Sequence, residues 1–177
     1  RRLINKWVVK KPMYVIINGG IELKRQLSEN FQALEFACSH CGQLKISMEL
    51  INKLQEFRNW VGKPIHINSG YRCSLHSVEI GSKRTSEHCL GNAADIRIDS
   101  TMNMYQMFTK LITIFPRVGM YHTHDGRGFI HVDTKKDQLF WINDRVNGTG
   151  KYIYFRTIPK LEEYIANTKT NWKALVI

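Results

Sequence analysis

The residues that could do chemistry in this chain are two histidines and an aspartate: His88, Asp95 and His131. The first two lie in Ser-Glu-His-Cys-Leu-Gly-Asn-Ala-Ala-Asp (86–95), and the third lies in Phe-Ile-His-Val-Asp (129–133). A catalytic zinc site uses three protein ligands drawn from His, Asp and Glu, and it keeps a fourth coordination position for water. The two segments supply such a set, so they predict a site for metal-assisted hydrolysis.

The local sequence indicates how these side chains could meet. Gly91 and Asn92 predict a turn, so the ligands on either side of it would arrive from opposite sides of a bend. Asp95 lies in an apolar, strand-like segment, where a buried carboxylate is costly unless a cation meets it. A single histidine in a strand is more often a surface or hydrogen-bonded core residue than a ligand, and that alternative stays open for each histidine taken alone.

Hydrophobic periodicity predicts the helices and strands that must hold these residues. Ser47 as N-cap and Gly62 predict the ends of one amphipathic helix, and the Asp-Ser pair at 99–100 and Pro116 predict the ends of a second. The predicted helices carry apolar residues at 50, 54, 57 and 61 and at 104, 107, 108, 111, 112 and 115, and the predicted strands cover 13–17, 64–68, 93–98, 118–121 and 129–134. Helices mixed with short strands, without a regular βαβ repeat, predict an α+β domain on a small, mainly antiparallel sheet.

The chain is predicted to have a core with a further segment at each end. Residues 1–25 form an N-terminal arm, 26–135 the core, and 136–177 a C-terminal extension with a hairpin near 147–150 and a helix near 160–167. No apolar run approaches the roughly 20 residues of a membrane span. The first residues lack a continuous apolar stretch and a small-residue cleavage site, so no secretory signal is expected.

The charge balance indicates a class of partner. Lys and Arg outnumber Asp and Glu by 26 to 15, which gives a formal net charge of +11. Such a charge attracts polyanions over long range. The basic residues are spread along the chain rather than gathered in one helix or aromatic-rich stripe, which disfavours nucleic acid. Anionic cell wall is the alternative polyanion.

Three blocks of sequence match one known family in order and approximate spacing. They are Ile-Asn-Ser-Gly-Tyr-Arg-Cys (67–73), Ser-x-His-x-x-Gly-x-Ala-Ala-Asp-Ile (86–96) and Phe-Ile-His-Val-Asp (129–133), preceded by a lead-in at 28–36. In these blocks the chain resembles the zinc D-alanyl-D-alanine carboxypeptidase family, which includes phage endolysins and bacterial murein endopeptidases and is related to the hedgehog-type zinc fold. The resemblance spans residues 27–134 and leaves both outer segments uncovered.

The resemblance implies roles for the site residues. The His-Asp-His trio would bind Zn²⁺, and Arg72 would lie in the substrate cleft, where a guanidinium can hold a peptide carboxylate or offset charge on a tetrahedral intermediate. Tyr71 and Ser86 would contact substrate nearby. A surface salt bridge is the structural alternative for Arg72, and a helix cap or turn is the alternative for Ser86. Relatives carry Asn after His76, where this chain has Ser77.

The general base is the main departure from the family. Several relatives carry Glu three residues before the last ligand, where this chain has Gly128. Asp133 and Asp125 are the catalytic candidates instead. Asp133 shares a strand face with His131, so it could also act only by orienting that ligand. Further candidates beside Asp125 are His122 and His124.

The four cysteines allow several interpretations. Cys38 and Cys41 form a Cys-x-x-Cys pair that could belong to a structural zinc site, but the spacing from Cys73 to Cys89 is not that of a second close pair. Cys89 is expected to be a small buried side chain. A second metal, a disulfide and free thiols all remain open.

The predicted function is zinc-dependent hydrolysis of peptide bonds in the stem or cross-link peptides of bacterial peptidoglycan. The enzyme would be a carboxypeptidase or endopeptidase, such as a phage endolysin or a virion-associated lysin, with phage tail or other virion proteins as further partners. The alternatives are a non-catalytic zinc-containing binding module and a phage structural module on the same fold, and a nucleic-acid binder comes last.

Overall fold

The computed structural model describes residues 14–98, 104–121, 128–144 and 150–167. Two 3₁₀ helices, Gly20–Lys24 and Ala33–Phe36, precede and follow a short loop in the N-terminal part. The strands are β1 Tyr14–Ile17, β2 Leu44–Ser47, β3 His66–Ser69, β4 Ala93–Arg97, β5 Arg117–Tyr121, β6 Phe129–Asp133, β7 Leu139–Asp144 and β8 Lys151–Phe155. The helices are α1 Met48–Val61, α2 Ser74–Glu79, α3 Glu87–Leu90, α4 Met104–Leu111 and α5 Ile158–Asn167.

The main sheet of the described residues has six strands in the order β3-β4-β6-β5-β7-β8. Neighbouring strands are antiparallel except β5 and β7, which run parallel. A separate two-stranded sheet pairs β1 with β2. These elements confirm the predicted α+β class with a mainly antiparallel sheet.

Helix α1 begins and ends where its sequence predicts. The Ser47 hydroxyl accepts a hydrogen bond from the Glu49 backbone N–H, and Gly62 ends the helix at φ +64°, a conformation that favours glycine. Burying a Leu or Phe side chain stabilises the folded state by about 1.5–3 kcal/mol, so the apolar stripe stabilises the packing of the helix on the core. The buried residues of the stripe are Leu50, Ile51, Leu54, Phe57 and Val61.

Helix α4 ends earlier than its hydrophobic pattern predicts. The pattern continues to Phe115, but the helix ends at Leu111, whose carbonyl accepts hydrogen bonds from the N–H groups of both Ile114 and Phe115. The last turn is therefore tightened, which is common at helix ends. Pro116 also disfavours helical backbone in the residue before it. The predicted capping pair at 99–100 lies outside the described residues.

The described parts of both outer segments hydrogen-bond to strands of the predicted core. β1 pairs with β2, and β7 joins the main sheet beside β5. Residues 147–149 of the predicted turn at 147–150 lie outside the described residues, but β7 and β8 on either side of it are antiparallel. Helix α5 begins two residues before the predicted 160–167. No helix among the described residues is long and apolar enough to cross a membrane.

Candidate active site

The pairing of β4 with its two neighbours places Asp95 at the centre of the predicted site. Asp95 lies opposite His131 of β6 on one side and opposite Ser69 of β3 on the other. Directly opposed residues of antiparallel strands have side chains close together on one face. Strand register therefore brings together two residues that are far apart in the sequence.

His88 reaches the same point from α3. The Ser86 hydroxyl accepts a hydrogen bond from the His88 backbone N–H at 3.3 Å, and Gly91 ends the helix at φ +77°. A Cβ atom on Gly91 would lie 2.3 Å from the Lys45 carbonyl oxygen, so only glycine lets α3 pack this closely on β2. Ser86 thus acts as a helix cap, the alternative that the sequence left open.

The three donor atoms form a compact cluster. Asp95 Oδ1 lies 2.9 Å from His131 Nδ1 and 3.3 Å from His88 Nε2, and the two imidazole nitrogens are 3.2 Å apart. Ligand atoms about 2.0–2.1 Å from a tetrahedral zinc ion are themselves about 3.3 Å apart. Two imidazoles and a carboxylate at these separations fit the donor set of a zinc site, so His88, Asp95 and His131 could hold a metal ion.

The orientation of His88 is fixed by a hydrogen bond on its far side. Its Nδ1–H donates to the Gly70 carbonyl oxygen at 2.7 Å, which leaves Nε2 as the unprotonated nitrogen facing Asp95. His88 is 1% exposed, and burial lowers its pKa below the usual value. A neutral imidazole is the form that binds a metal.

His131 is oriented in the same manner by a second carboxylate. Its Nε2 donates to Asp133 Oδ2 at 3.1 Å, so Nδ1 is the nitrogen that faces Asp95. Burial alone would lower the pKa of His131, but its hydrogen bonds to Asp133 and Asp95 raise it to about 9. Asp133 is itself held by the Lys135 backbone N–H at 3.0 Å and by an ion pair with Arg117 at 3.4 Å.

Arg72 lies against the carboxylate of Asp95. Its Nη2 is 3.3 Å from Asp95 Oδ2, and only 9% of the residue is exposed. Burial would raise the pKa of Asp95, but His88 and His131 hold it well below its usual range. The Asp95 carboxylate is therefore ionised and surrounded by three nitrogen-bearing side chains.

A cleft of about 450 Å³ opens beside these residues. Arg72, Asp95 and Tyr71 all line it, together with Phe129 and Glu35. The Asp95 side chain is therefore reachable from the cleft. The cleft also brings together the predicted substrate-binding residues Tyr71 and Arg72.

Gly128 and Ser77 stand where relatives carry other residues, and the structure describes both positions. A Cβ on Gly128 would lie 1.9 Å from the end of the Met104 side chain and 2.8 Å from the Tyr121 carbonyl oxygen, so the position is packed for glycine. Ser77 is buried, with its hydroxyl 3.1 Å from the Cys89 sulfur. Asp125, His122 and His124 lie outside the described residues.

Sequence reasoning missed a group of residues around His131. The Trp141 ring lies 5.2 Å from the His131 ring and fills the space beside Gly119, where a Cβ would be 2.1 Å from the indole. Trp141 Nε1 donates to the Tyr121 hydroxyl at 3.0 Å. The glycine in an otherwise apolar strand was the available signal, because such a glycine often marks close approach of another group.

Part of the chain is similar to a known family of peptidases. A family model described as Peptidase M15 matches residues 22–133. The matched range includes all three residues of the histidine–aspartate cluster and ends at Asp133. No curated protein matches the chain.

Proposed function

Because the chain belongs to the peptidase M15 family of zinc metallopeptidases, we propose that it hydrolyses peptide bonds in the stem or cross-link peptides of bacterial peptidoglycan. The observation that carries the proposal is the placement of Asp95. Its carboxylate lies between two correctly oriented imidazoles, against a buried guanidinium, and it lines an open cleft. This combination supplies metal ligands and a substrate contact at one point.

The proposed ligands of the zinc ion are His88 Nε2, Asp95 Oδ1 and His131 Nδ1. Zinc bound there would supply Lewis-acid polarisation of the scissile carbonyl and activation of water. The chain's own contribution is orientation, because the Gly70 carbonyl and the Asp133 carboxylate fix which nitrogen of each histidine faces the cluster.

Arg72 is proposed to bind the substrate. A guanidinium has five N–H donors, and the contact with Asp95 at 3.3 Å engages only one of its terminal nitrogens. Nε is buried without a hydrogen-bond partner among the described residues, so the other terminal nitrogen is the one proposed to bind a peptide carboxylate or a carbonyl on which negative charge develops. Tyr71 lines the same cleft and is proposed as a second contact.

Asp125 is proposed as the general base, and Asp133 as a positioning residue. Asp133 is 1% exposed, and it contacts the His131 nitrogen that faces away from Asp95. Both of its oxygens have partners, His131 and the Lys135 backbone N–H. A base must reach the proton that it removes, and these contacts turn Asp133 away from the cleft. Asp125 lies outside the described residues, and it is the remaining carboxylate candidate in the sequence.

The net charge of +11 suits an anionic cell-wall substrate. Long-range attraction concentrates such a substrate near the protein, and salt screens that attraction. A role as an endolysin or a virion-associated lysin, with phage tail proteins as further partners, is part of the proposal.

A non-catalytic binding module on the same fold is the second candidate. Gly128 favours it, because relatives carry the general base at that position and Met104 and Tyr121 leave no room here for a side chain. The two candidates differ in turnover. A binding module would bind zinc and wall peptides without releasing products.

The test is to incubate the zinc-loaded protein with intact peptidoglycan of several chemotypes and to follow new amino termini and muropeptide masses. A His131→Ala variant and a chelator remove the proposed metal site, and His66→Ala, at an exposed position in β3, is the matched control. Release by the wild type and His66→Ala only is expected, and the masses identify the bond. If zinc is bound but no wall chemotype is cleaved, the binding module replaces the hydrolase.

A further inference from the structure

A second group of metal-binding side chains lies apart from the histidine–aspartate cluster. The sulfur atoms of Cys38, Cys41 and Cys73 all lie within 4.8 Å of one another. All are free thiols, and they range from buried at Cys38 to exposed at Cys41. Three thiolates converging in this way are typical of a structural zinc site, which needs one more ligand to close its tetrahedron.

His76 contacts one sulfur of this group, although it is not among the residues whose ligand atoms all lie within 4.8 Å of one another. Its Nδ1 lies 3.5 Å from the buried Cys38 sulfur. A sulfur about 2.3 Å and a nitrogen about 2.0–2.1 Å from a tetrahedral zinc ion are about 3.6 Å apart, so this separation fits two ligands of one ion. His76 also follows Cys73 at Cys-x-x-His spacing, which matches the Cys-x-x-Cys spacing of the first pair.

Backbone N–H groups donate to two of the three sulfurs. The Cys73 N–H donates to the Cys38 sulfur at 3.4 Å, and the His76 N–H donates to the Cys73 sulfur at 3.5 Å. Thiolate is the form of cysteine that binds a metal.

We propose that Cys38, Cys41, Cys73 and His76 bind a structural zinc ion that is separate from the active-site metal. The ion would join the loop after the Ala33–Phe36 helix to the start of α2. Those segments already touch, since the Tyr71 N–H donates to the Phe36 carbonyl at 2.8 Å. Arg72 immediately precedes the ligand Cys73, so the ion fixes the cleft wall that presents Arg72 to the substrate.

His40 is the competing imidazole, and its geometry is less suitable. Its Nδ1 lies 3.5 Å from the Cys73 sulfur, but the side chain is 39% exposed and its Nε2 lies 3.6 Å from Glu79. It also lies inside the Cys-x-x-Cys loop, where its backbone N–H donates to Cys38. His40→Ala is therefore the matched control for His76→Ala.

The test is metal analysis of the whole chain purified under reducing conditions in zinc-containing buffer. The wild type should bind two zinc ions, and Cys41→Ser, His76→Ala and His131→Ala should each bind one. His40→Ala and Cys89→Ser should retain two. Replacing zinc with Co²⁺ should give thiolate-to-metal charge-transfer absorption that Cys41→Ser weakens or loses and His131→Ala retains. This absorption reports the cysteine site alone, so it separates failure of this proposal from failure of the proposed function.

Three outcomes would overturn the assignment. One is a wild type whose only zinc is lost in His131→Ala. Another is a disulfide between two of the three cysteines after purification under reducing conditions. The third is retention of zinc in His76→Ala with loss in His40→Ala. If the cysteine variants fail to fold, titration of the wild type with a thiol reagent gives the answer, because one zinc ion should be released as three thiols react.

Discussion

The histidine–aspartate cluster and the cysteine cluster are built on different kinds of scaffold. Asp95 and His131 are opposed residues of central strands, so the register of the sheet fixes their separation. Cys38 and Cys41 lie in a loop, and Cys73 is the N-cap of the six-residue helix α2. The first cluster is preorganised by the fold, whereas the second cluster can itself hold two segments together. The difference fits the two proposals, in which the first cluster is catalytic and the second supports the structure.

The largest expected effect comes from removing a ligand of the first cluster. His131→Ala should lower kcat/KM on peptidoglycan by at least about a thousandfold, because it removes one of the three proposed ligands of a catalytic metal. It should leave the Co²⁺–thiolate absorption of the cysteine cluster intact. Muropeptide release and metal content measure the two effects. Full activity in a variant that has lost the metal would show that the cluster is not catalytic.

Replacing the proposed base should separate chemistry from metal binding. Asp125→Asn should lower kcat by about 10²–10⁴-fold, the usual contribution of a general base. Zinc content should stay at the wild-type value, because the residue is not proposed as a ligand. Steady-state kinetics measures kcat, and metal analysis measures the zinc content. Unchanged kcat would remove Asp125 from the mechanism and return attention to His122 and His124.

Asp133→Asn should instead weaken zinc binding and leave much of the activity intact once zinc is saturating. The Asp133 carboxylate accepts the His131 Nε2–H at 3.1 Å, so its loss should weaken zinc binding by about 10–100-fold. At saturating zinc, much of the activity should return. Competition with a chromogenic chelator measures the affinity. If saturating zinc restores no activity, Asp133 takes part in the chemistry itself.

The sequence predicts the first cluster well, and the physical reason is local. Ser86, His88 and Gly91 lie within one short turn of helix, and Asp95 and His131 lie on strands with clear apolar alternation. The family blocks contain all of these residues, so the cluster could be identified without knowledge of strand order. The α+β class follows from the same periodicity.

Other features could not be predicted because they depend on strand order. Trp141 packs on His131 through the parallel pairing of β5 with β7, and nothing in the periodicity of either strand indicates this neighbour. The cysteine cluster was open to a better prediction. The sequence analysis considered Cys73 only with Cys89, whose spacing does not suit a second close pair, although the Cys-x-x-His spacing of Cys73 and His76 was visible. The sequence did not indicate the contact between the loop near Phe36 and Tyr71.

Zinc binding at the histidine–aspartate cluster should depend on pH. In the metal-free chain the pKa of His131 is raised to about 9, so between its ordinary value and 9 the folded protein holds a proton that zinc must displace. Zinc affinity of the first cluster should therefore rise by about tenfold per pH unit up to about 9 and then level off. Calorimetry in buffers of different ionisation enthalpy, on Cys41→Ser, isolates this site. Absence of proton release at pH 7 would contradict the predicted protonation of His131.

The smallest expected effect on catalysis comes from the cysteine cluster. Cys41→Ser removes a proposed ligand that does not line the cleft, so kcat/KM at 25 °C should fall by less than about tenfold, which corresponds to about 1.4 kcal/mol. Most of that loss should appear in KM, because the wall that carries Arg72 is less firmly held.

Thermal stability should fall more clearly, since each kcal/mol lost shifts Tm by about 2–4 °C in a chain of this length. Cys89→Ser is the control that removes a thiol without removing a ligand. A thousandfold loss of kcat in Cys41→Ser, with the active-site zinc retained, would mean that the two clusters act as one catalytic unit, and the division of roles between them would then be wrong.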